Sequence, residues 1–212
     1  MIKSKERISE FGEVFTSERE VNAMLDLVPD ETNRIDSRFL EPACGSGNFL
    51  IEVVKRKICV VDSKYSKHQP DFERYAFLSL SSVYGIDLLE DNIVECRERL
   101  LNHALDVYER NFPLSQCIKF KSALKFVISK NILIGDALTL TLPNMTNPII
   151  FSEWNLVSGN KVKRIDYTLT NLIAYQPFEG DSLFSDLGES AFIPAPLKSF
   201  PIVHYKELQN VE

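Results

Sequence analysis

The stretch that leaves the chain least freedom is Phe39–Leu50, which reads Phe-Leu-Glu-Pro-Ala-Cys-Gly-Ser-Gly-Asn-Phe-Leu. Phe39 and Leu40 end an apolar lead-in, and Phe49, Leu50, Ile51, Val53 and Val54 continue with a face that suits a helix. Between them, Gly45 and Gly47 can take positive φ and carry no Cβ, so a ligand can lie directly on the backbone. Strand, glycine turn and helix N-terminus together predict an α/β sheet with a nucleotide-type site at the carboxyl ends of its strands.

Two commoner versions of that turn are excluded. A dinucleotide fingerprint needs a third glycine where Leu50 stands, which disfavours a nicotinamide oxidoreductase. A phosphate-cradling P-loop needs a lysine after Gly47, and Asn48 is there instead. What remains is an acid at the strand end, Glu41. It would repel a pyrophosphate but would suit an ammonium beside a cationic sulfonium, as in S-adenosyl-L-methionine.

The rest of the chain supplies further strand ends of the same kind. Ser17 and Glu20 form a capping box before an apolar helix face of Val21, Met24, Leu25, Leu27 and Val28 that Pro29 stops. Residues 55–70 are basic and polar and read as a solvated loop, followed by a short helix over 71–80. Residues 82–87 read as a strand closing on Asp87. The distance from Gly47 to Asp87 exceeds the roughly 20 residues of a dinucleotide fold, which an insertion over 55–78 explains. Ile93, Cys96, Leu100, Leu101, Ala104, Leu105 and Tyr108 mark a long helix. A further short helix over 121–130 leads to a strand, Ile132–Ile134, with Gly135-Asp136 at its end.

The segment Glu41-Pro42-Ala43-Cys44-Gly45-Ser46-Gly47-Asn48-Phe49 resembles the cofactor motif of the class I S-adenosylmethionine-dependent DNA methyltransferases of the adenine-N6 type. The resemblance covers about residues 10–155 and implies a Rossmann-like, doubly wound, mostly parallel α/β sheet. It implies cofactor contacts from Glu41, Pro42, Ala43, Cys44, Gly45, Gly47, Asn48 and Phe49. By the same resemblance Thr16, in Gly12-Glu13-Val14-Phe15-Thr16-Ser17, reaches the cofactor carboxylate, Asp87 the ribose hydroxyls and Asp136 the adenine amino group. The family usually has Thr-Pro where this chain has Thr16-Ser17.

The resemblance breaks after the expected fourth strand, Pro148–Phe151. The family carries Asn/Asp/Ser-Pro-Pro-Tyr/Phe there, because a side-chain oxygen and a backbone carbonyl must draw the hydrogens of a poorly nucleophilic exocyclic amine while an aromatic ring stacks on the flipped base. This chain has Ser152-Glu153-Trp154-Asn155. Three readings stay open. Ser152 or Glu153 accepts the amine hydrogens while Trp154 stacks on the base; the site is dead and the chain only binds cofactor; or the substrate is not DNA. Trp154 reads equally well as a core residue.

Residues 1–155 are therefore expected to form the methyltransferase core. Residues 156–212 are read as a divergent extension that completes the sheet, with a hairpin turn at Gly159-Asn160, an extended segment over 177–201 and a last strand near 202–205. The tail is too short for both half a sheet and a target-recognition domain, so a partner subunit is expected beside DNA. A net charge of −6 argues against coating nucleic acid by bulk electrostatics. The four cysteines form no Cys-x-x-Cys pair, so no metal site is expected and a reducing, cytoplasmic location is. No run is long enough for a membrane span.

Overall fold

The computed structural model describes residues 16–115, 117–173 and 194–211. The described chain is mixed α/β, with a three-stranded parallel sheet and a separate antiparallel sheet. The parallel sheet holds β1 (Phe39–Glu41), β2 (Val83–Asp87) and β3 (Ile132–Ile134) in the order β1-β2-β3. Its register pairs Leu40 with Tyr84 and Glu41 with Gly85, then Ile86 with Leu133 and Asp87 with Ile134.

The helices follow the apolar spacing. Helix α1 (Glu18–Leu25) starts on the expected capping box: Ser17 Oγ accepts the Glu20 N–H, and the Glu20 carboxylate accepts the Ser17 N–H at 3.1 Å. It ends before Pro29, which instead opens the single turn α2 (Pro29–Thr32), where its missing N–H costs nothing. Helix α3 (Asn48–Tyr65) corrects the solvated loop expected over 55–70. The basic residues ride on its faces, and Lys57 is fully buried, donating to Ser37 O and Ser82 Oγ. Only Ser66, Lys67 and His68 separate it from α4 (Gln69–Ser81). The excess sequence is thus two packed helices. Helices α5 (Glu90–Asn111) and α6 (Ile118–Asn131) lead to the later strands.

These helices cover one face of the parallel sheet, with Val53, Ile58, Phe72, Phe77, Leu100, Phe120 and Leu124 buried between them. The alternation of β2 splits its side chains between two cores. Val83 joins the helical core, while Tyr84 and Ile86 join a smaller one with Ile149, Phe151 and Leu169 on the opposite face.

Beyond β3 the chain departs from expectation. Strand β4 (Ile150–Ser158) pairs antiparallel with β5 (Lys161–Thr168) through the predicted turn, where Gly159 has φ +54°. After the short helix α7 (Leu169–Ile173), β6 (Lys198–Ser199) and β7 (Val203–His204) add to β5, and a 3₁₀ helix closes at Tyr205–Asn210. The described strands of the tail therefore build a second sheet instead of completing the first. A division at residue 155 passes through β4. The extended segment expected over 177–201 lies largely outside the described residues.

Buried polar groups fix this second sheet to the helices. Glu73 on α4 accepts from Gln69 (2.9 Å), Tyr108 (2.7 Å) and Lys206. Burial works to raise its carboxyl, but the Lys206, Gln69 and Tyr108 donors outweigh it and hold the group below the usual carboxylate range. His204 plays a structural part: its Nδ1 accepts the Lys206 N–H at 3.1 Å.

Candidate cofactor-binding site

Each parallel strand ends on an acid at the same side of the sheet. Glu41 and Asp87 close β1 and β2, and Asp136 follows β3 by two residues. At about 4.8 Å per strand, the three carboxylate-bearing ends span roughly 10 Å of one edge. The glycine loop runs from Glu41 across the end of β2 into α3.

Asp87 is the anchor of that loop. Its carboxylate accepts the Gly45 N–H and the Leu89 N–H, both at 2.9 Å, and the Asn92 amide at 3.2 Å. The Cys44 N–H donates to Ile86 O at 2.8 Å, so two successive loop amides are tied to β2. A carboxylate offers about four acceptor positions. Three are filled here by the protein, and a ribose would share the remainder.

Gly47 is held by both conformation and space. It has φ +86°, and a Cβ there would meet Cys96 Sγ on α5 at 2.6 Å. Gly45 has φ +52° with no atom within 4 Å of an added Cβ, so only its backbone conformation requires glycine. The Cys44 thiol is pushed far above its ordinary range, first by its hydrogen bond with Cys96 and then by burial. It is a neutral packing group and no nucleophile.

Arg99, on α5, is a residue that sequence reading missed. Its guanidinium donates to Ser46 O at 2.6 Å and to Asn48 Oδ1 at 2.8 Å, clasping the loop from the helical side. Nothing in the sequence marks it beyond its place three residues after Cys96 on the same helix. Asn48 in turn donates its amide to Thr16 O at 3.3 Å, which brings the expected Thr16 to the first turn of α3.

The loop carries two complementary features. Gly47 is the N-cap of α3, no side chain caps that helix, and its first turn carries no acid. The N–H groups of that turn have no intrahelical acceptor and favour an anion. Glu41 supplies the opposite charge; its Oε1 accepts the Ala43 N–H at 3.2 Å, which shapes the Pro42-Ala43 turn. Phe49 is partly buried against the helical core behind the loop. At the third strand, Asp136 Oδ1 accepts the Leu138 N–H (2.8 Å), fixing its own turn and leaving Oδ2 outside it. Among the described residues no cluster of His, Cys, Asp or Glu could hold a metal ion.

The expected catalytic trio is not brought together. Ser152, Glu153 and Trp154 lie inside β4, so their side chains alternate between its faces. Trp154 is 6% exposed, donates its indole N–H to Asn131 Oδ1 at 2.9 Å, and packs edge-on against Phe77 and Phe126. Ser152 is 2% exposed and hydrogen-bonded to Asp166 (2.7 Å) and Arg164 (3.0 Å). Both are core residues of the hairpin, so Trp154 as a base-stacking ring and Ser152 as an amine acceptor are corrected. Glu153 points the other way, pairs with Arg38, and lines a cavity of about 470 Å³ together with Leu40, Tyr84, Phe151 and Tyr167.

Set against protein-family models, curated proteins and solved structures, the chain matches none of them. The class defined by fold and site is thus an α/β unit with an acid-tipped glycine loop at the carboxyl ends of a parallel sheet. No helix among the described residues is long and apolar enough to cross a membrane.

Proposed function

We propose that the chain is the S-adenosyl-L-methionine-binding unit of a class I methyltransferase of the DNA adenine-N6 type, working in the cytoplasm as part of a restriction-modification-type system. The observation that carries this reading is the pairing of Glu41 with the uncapped N-terminus of α3 across Gly45 and Gly47. The carboxylate receives the ammonium of the methionine end and the helix N-terminus its carboxylate. Asp87 and Asp136, at the ends of the next two strands, would hold the ribose and adenine. The carboxylates at the strand ends disfavour a pyrophosphate-bearing cofactor.

Bound cofactor would supply an electrophilic methyl on a sulfonium. The chain's own residues hold and orient it, which is where proximity gains in such a reaction arise. Glu153 lines the cavity beside Phe151 and Tyr167, and its carboxylate is occupied by Arg38. Burial of Ser152 and Trp154 favours a second reading, a cofactor-binding subunit that does not itself transfer methyl.

Calorimetric titration with adenosylmethionine tests the common part. Binding is expected, with at least a tenfold loss in Glu41→Ala; heat-silent mixing at millimolar cofactor defeats both readings. Tritium transfer to unmethylated DNA then separates them, since the subunit reading predicts cofactor binding without incorporation.

A further inference from the structure

Helix α1 lies along α3 and is bonded to it at successive turns of one face. Asn48, Glu52 and Arg56 recur every fourth residue, so they share a ridge of α3. Asn48 Nδ2 donates to Thr16 O at 3.3 Å, and Glu52 accepts the Asn22 amide at 3.2 Å. Arg56 donates to Asn22 Oδ1 at 2.9 Å and to Asp26 at 2.6 Å. The contacts at Glu52 and Arg56 hold the body of α1 whatever happens at its entry. The contact at Thr16 is the one that touches the first turn of α3, whose N–H groups no side chain caps.

Asn48 is the first residue of that turn, and the contact depends on which way its amide faces. A side-chain amide carries an oxygen and a nitrogen of nearly equal shape, so packing alone does not choose between two orientations. Arg99 chooses. Its guanidinium donates to Asn48 Oδ1 at 2.8 Å and to Ser46 O at 2.6 Å. A guanidinium has donors and no acceptor. The amide therefore keeps its oxygen toward α5 and its nitrogen toward Thr16. The reverse orientation sets donor against donor at Arg99 and acceptor against acceptor at Thr16 O.

We infer that Arg99 is a positioning residue of the cofactor site: acting through Asn48, its donor-only head holds Thr16 beside the open N-terminus of α3. The inference deepens the adenosylmethionine reading, on which its consequence for the cofactor rests. That reading assigns the cofactor carboxylate to this helix end, so holding Thr16 there shields the carboxylate from water, and releasing it opens that end. Two side chains then divide the control of the loop. Asp87 ties it to β2 through the Gly45 N–H, and Arg99 ties it to the entry of α1.

The test compares Arg99→Lys, Arg99→Gln and Arg99→Met in the ¹⁵N-labelled full chain, first without cofactor. The signal read is the nuclear Overhauser contact between the Asn48 side-chain amide protons and Thr16. Lysine also has donors and no acceptor, so Arg99→Lys is expected to keep the contact. Glutamine offers an acceptor as well as a donor, and methionine offers no donor, so both are expected to weaken the contact at least twofold. Titration with adenosylmethionine is then expected to give Arg99→Lys an affinity near that of wild type. The other two are expected to bind about fivefold more weakly, the worth of one ordinary hydrogen bond. Should Arg99→Met unfold, the lysine and glutamine variants carry the comparison alone. A contact kept in Arg99→Gln as fully as in Arg99→Lys overturns the inference, and so does its loss in every variant, which would make Arg99 a packing residue. Unaltered affinity in a variant that has lost the contact also overturns it. A wild-type chain that binds no adenosylmethionine, with the contact still following the donor pattern, removes the cofactor reading and leaves the relay from Arg99 through Asn48 to Thr16 standing.

Discussion

The Asp87 carboxylate accepts the Gly45 N–H at 2.9 Å, so the end of β2 holds a loop 42 residues earlier in the chain. One acid thus fixes the glycine turn and opens the next helix through the Leu89 N–H. Asp87→Asn replaces an acceptor by a donor facing one of those amides. A partly buried amide left unpaired costs about 1–3 kcal/mol. The variant is expected to unfold at lower temperature and to bind adenosylmethionine at least tenfold more weakly, by scanning and titration calorimetry. Unchanged values for both would show that the loop holds without its anchor.

The two loop glycines are expected to respond differently to alanine. Gly45→Ala meets no atom and bears only the left-handed backbone cost of about 1–2 kcal/mol. Gly47→Ala carries that cost and drives its methyl into Cys96 Sγ, so it is expected to lose more stability. Adding Cys96→Ala should recover part of the Gly47→Ala loss and none of the Gly45→Ala loss. A double-mutant cycle in chemical denaturation reads the difference directly. Equal losses at the two glycines would show that the α5 contact is slack.

Alternation along β4 gives a third expectation. Trp154→Ala empties a packed ring site and costs about 3–5 kcal/mol, whereas Glu153→Ala removes a surface-rim ion pair worth at most about 1 kcal/mol. Trp154→Phe keeps most of the packing but strips Asn131 Oδ1 of its donor. Its expected signature is lower stability with cofactor affinity retained. A Trp154→Phe protein of full stability would mean that the indole is not engaged in the core.

The loop, the strand-end acids, the Ser17–Glu20 box and the Gly159 turn were legible because each depends on residues close in sequence. The hairpin was not. Ile150–Ser158 does alternate, but a four-residue expectation imported from the resemblance hid a period of two. Ser152 finds its partners at Arg164 and Asp166, across a strand pair whose register no local pattern reveals. Arg99 and Asn92 were invisible for the same reason, since their roles depend on where α5 crosses the loop. The basic run over 55–67 misled because lysine and arginine side chains can line a packed helix without leaving water, and Lys57 leaves it altogether.

Lys57 makes stability depend on alkaline pH. It is buried where α3 meets the starts of β1 and β2, donates to Ser37 O and Ser82 Oγ, and lies 5.2 Å from the centre of the Phe39 ring. Burial pushes its ammonium down to about 7 from its ordinary 10.5, opposed by the charge of Asp36. Between those values the unfolded chain binds the proton more firmly than the folded one. Protonation therefore favours unfolding across that window, and stability from this group rises with pH by up to about 1.4 kcal/mol per unit before levelling above 10.5. Lys57→Met lacks that slope. Denaturation midpoints at pH 7, 8.5 and 10 are expected to place Lys57→Met at its greatest relative advantage at pH 7, with wild type gaining on it as pH rises. A constant difference across the three would mean that water reaches the ammonium in the folded chain.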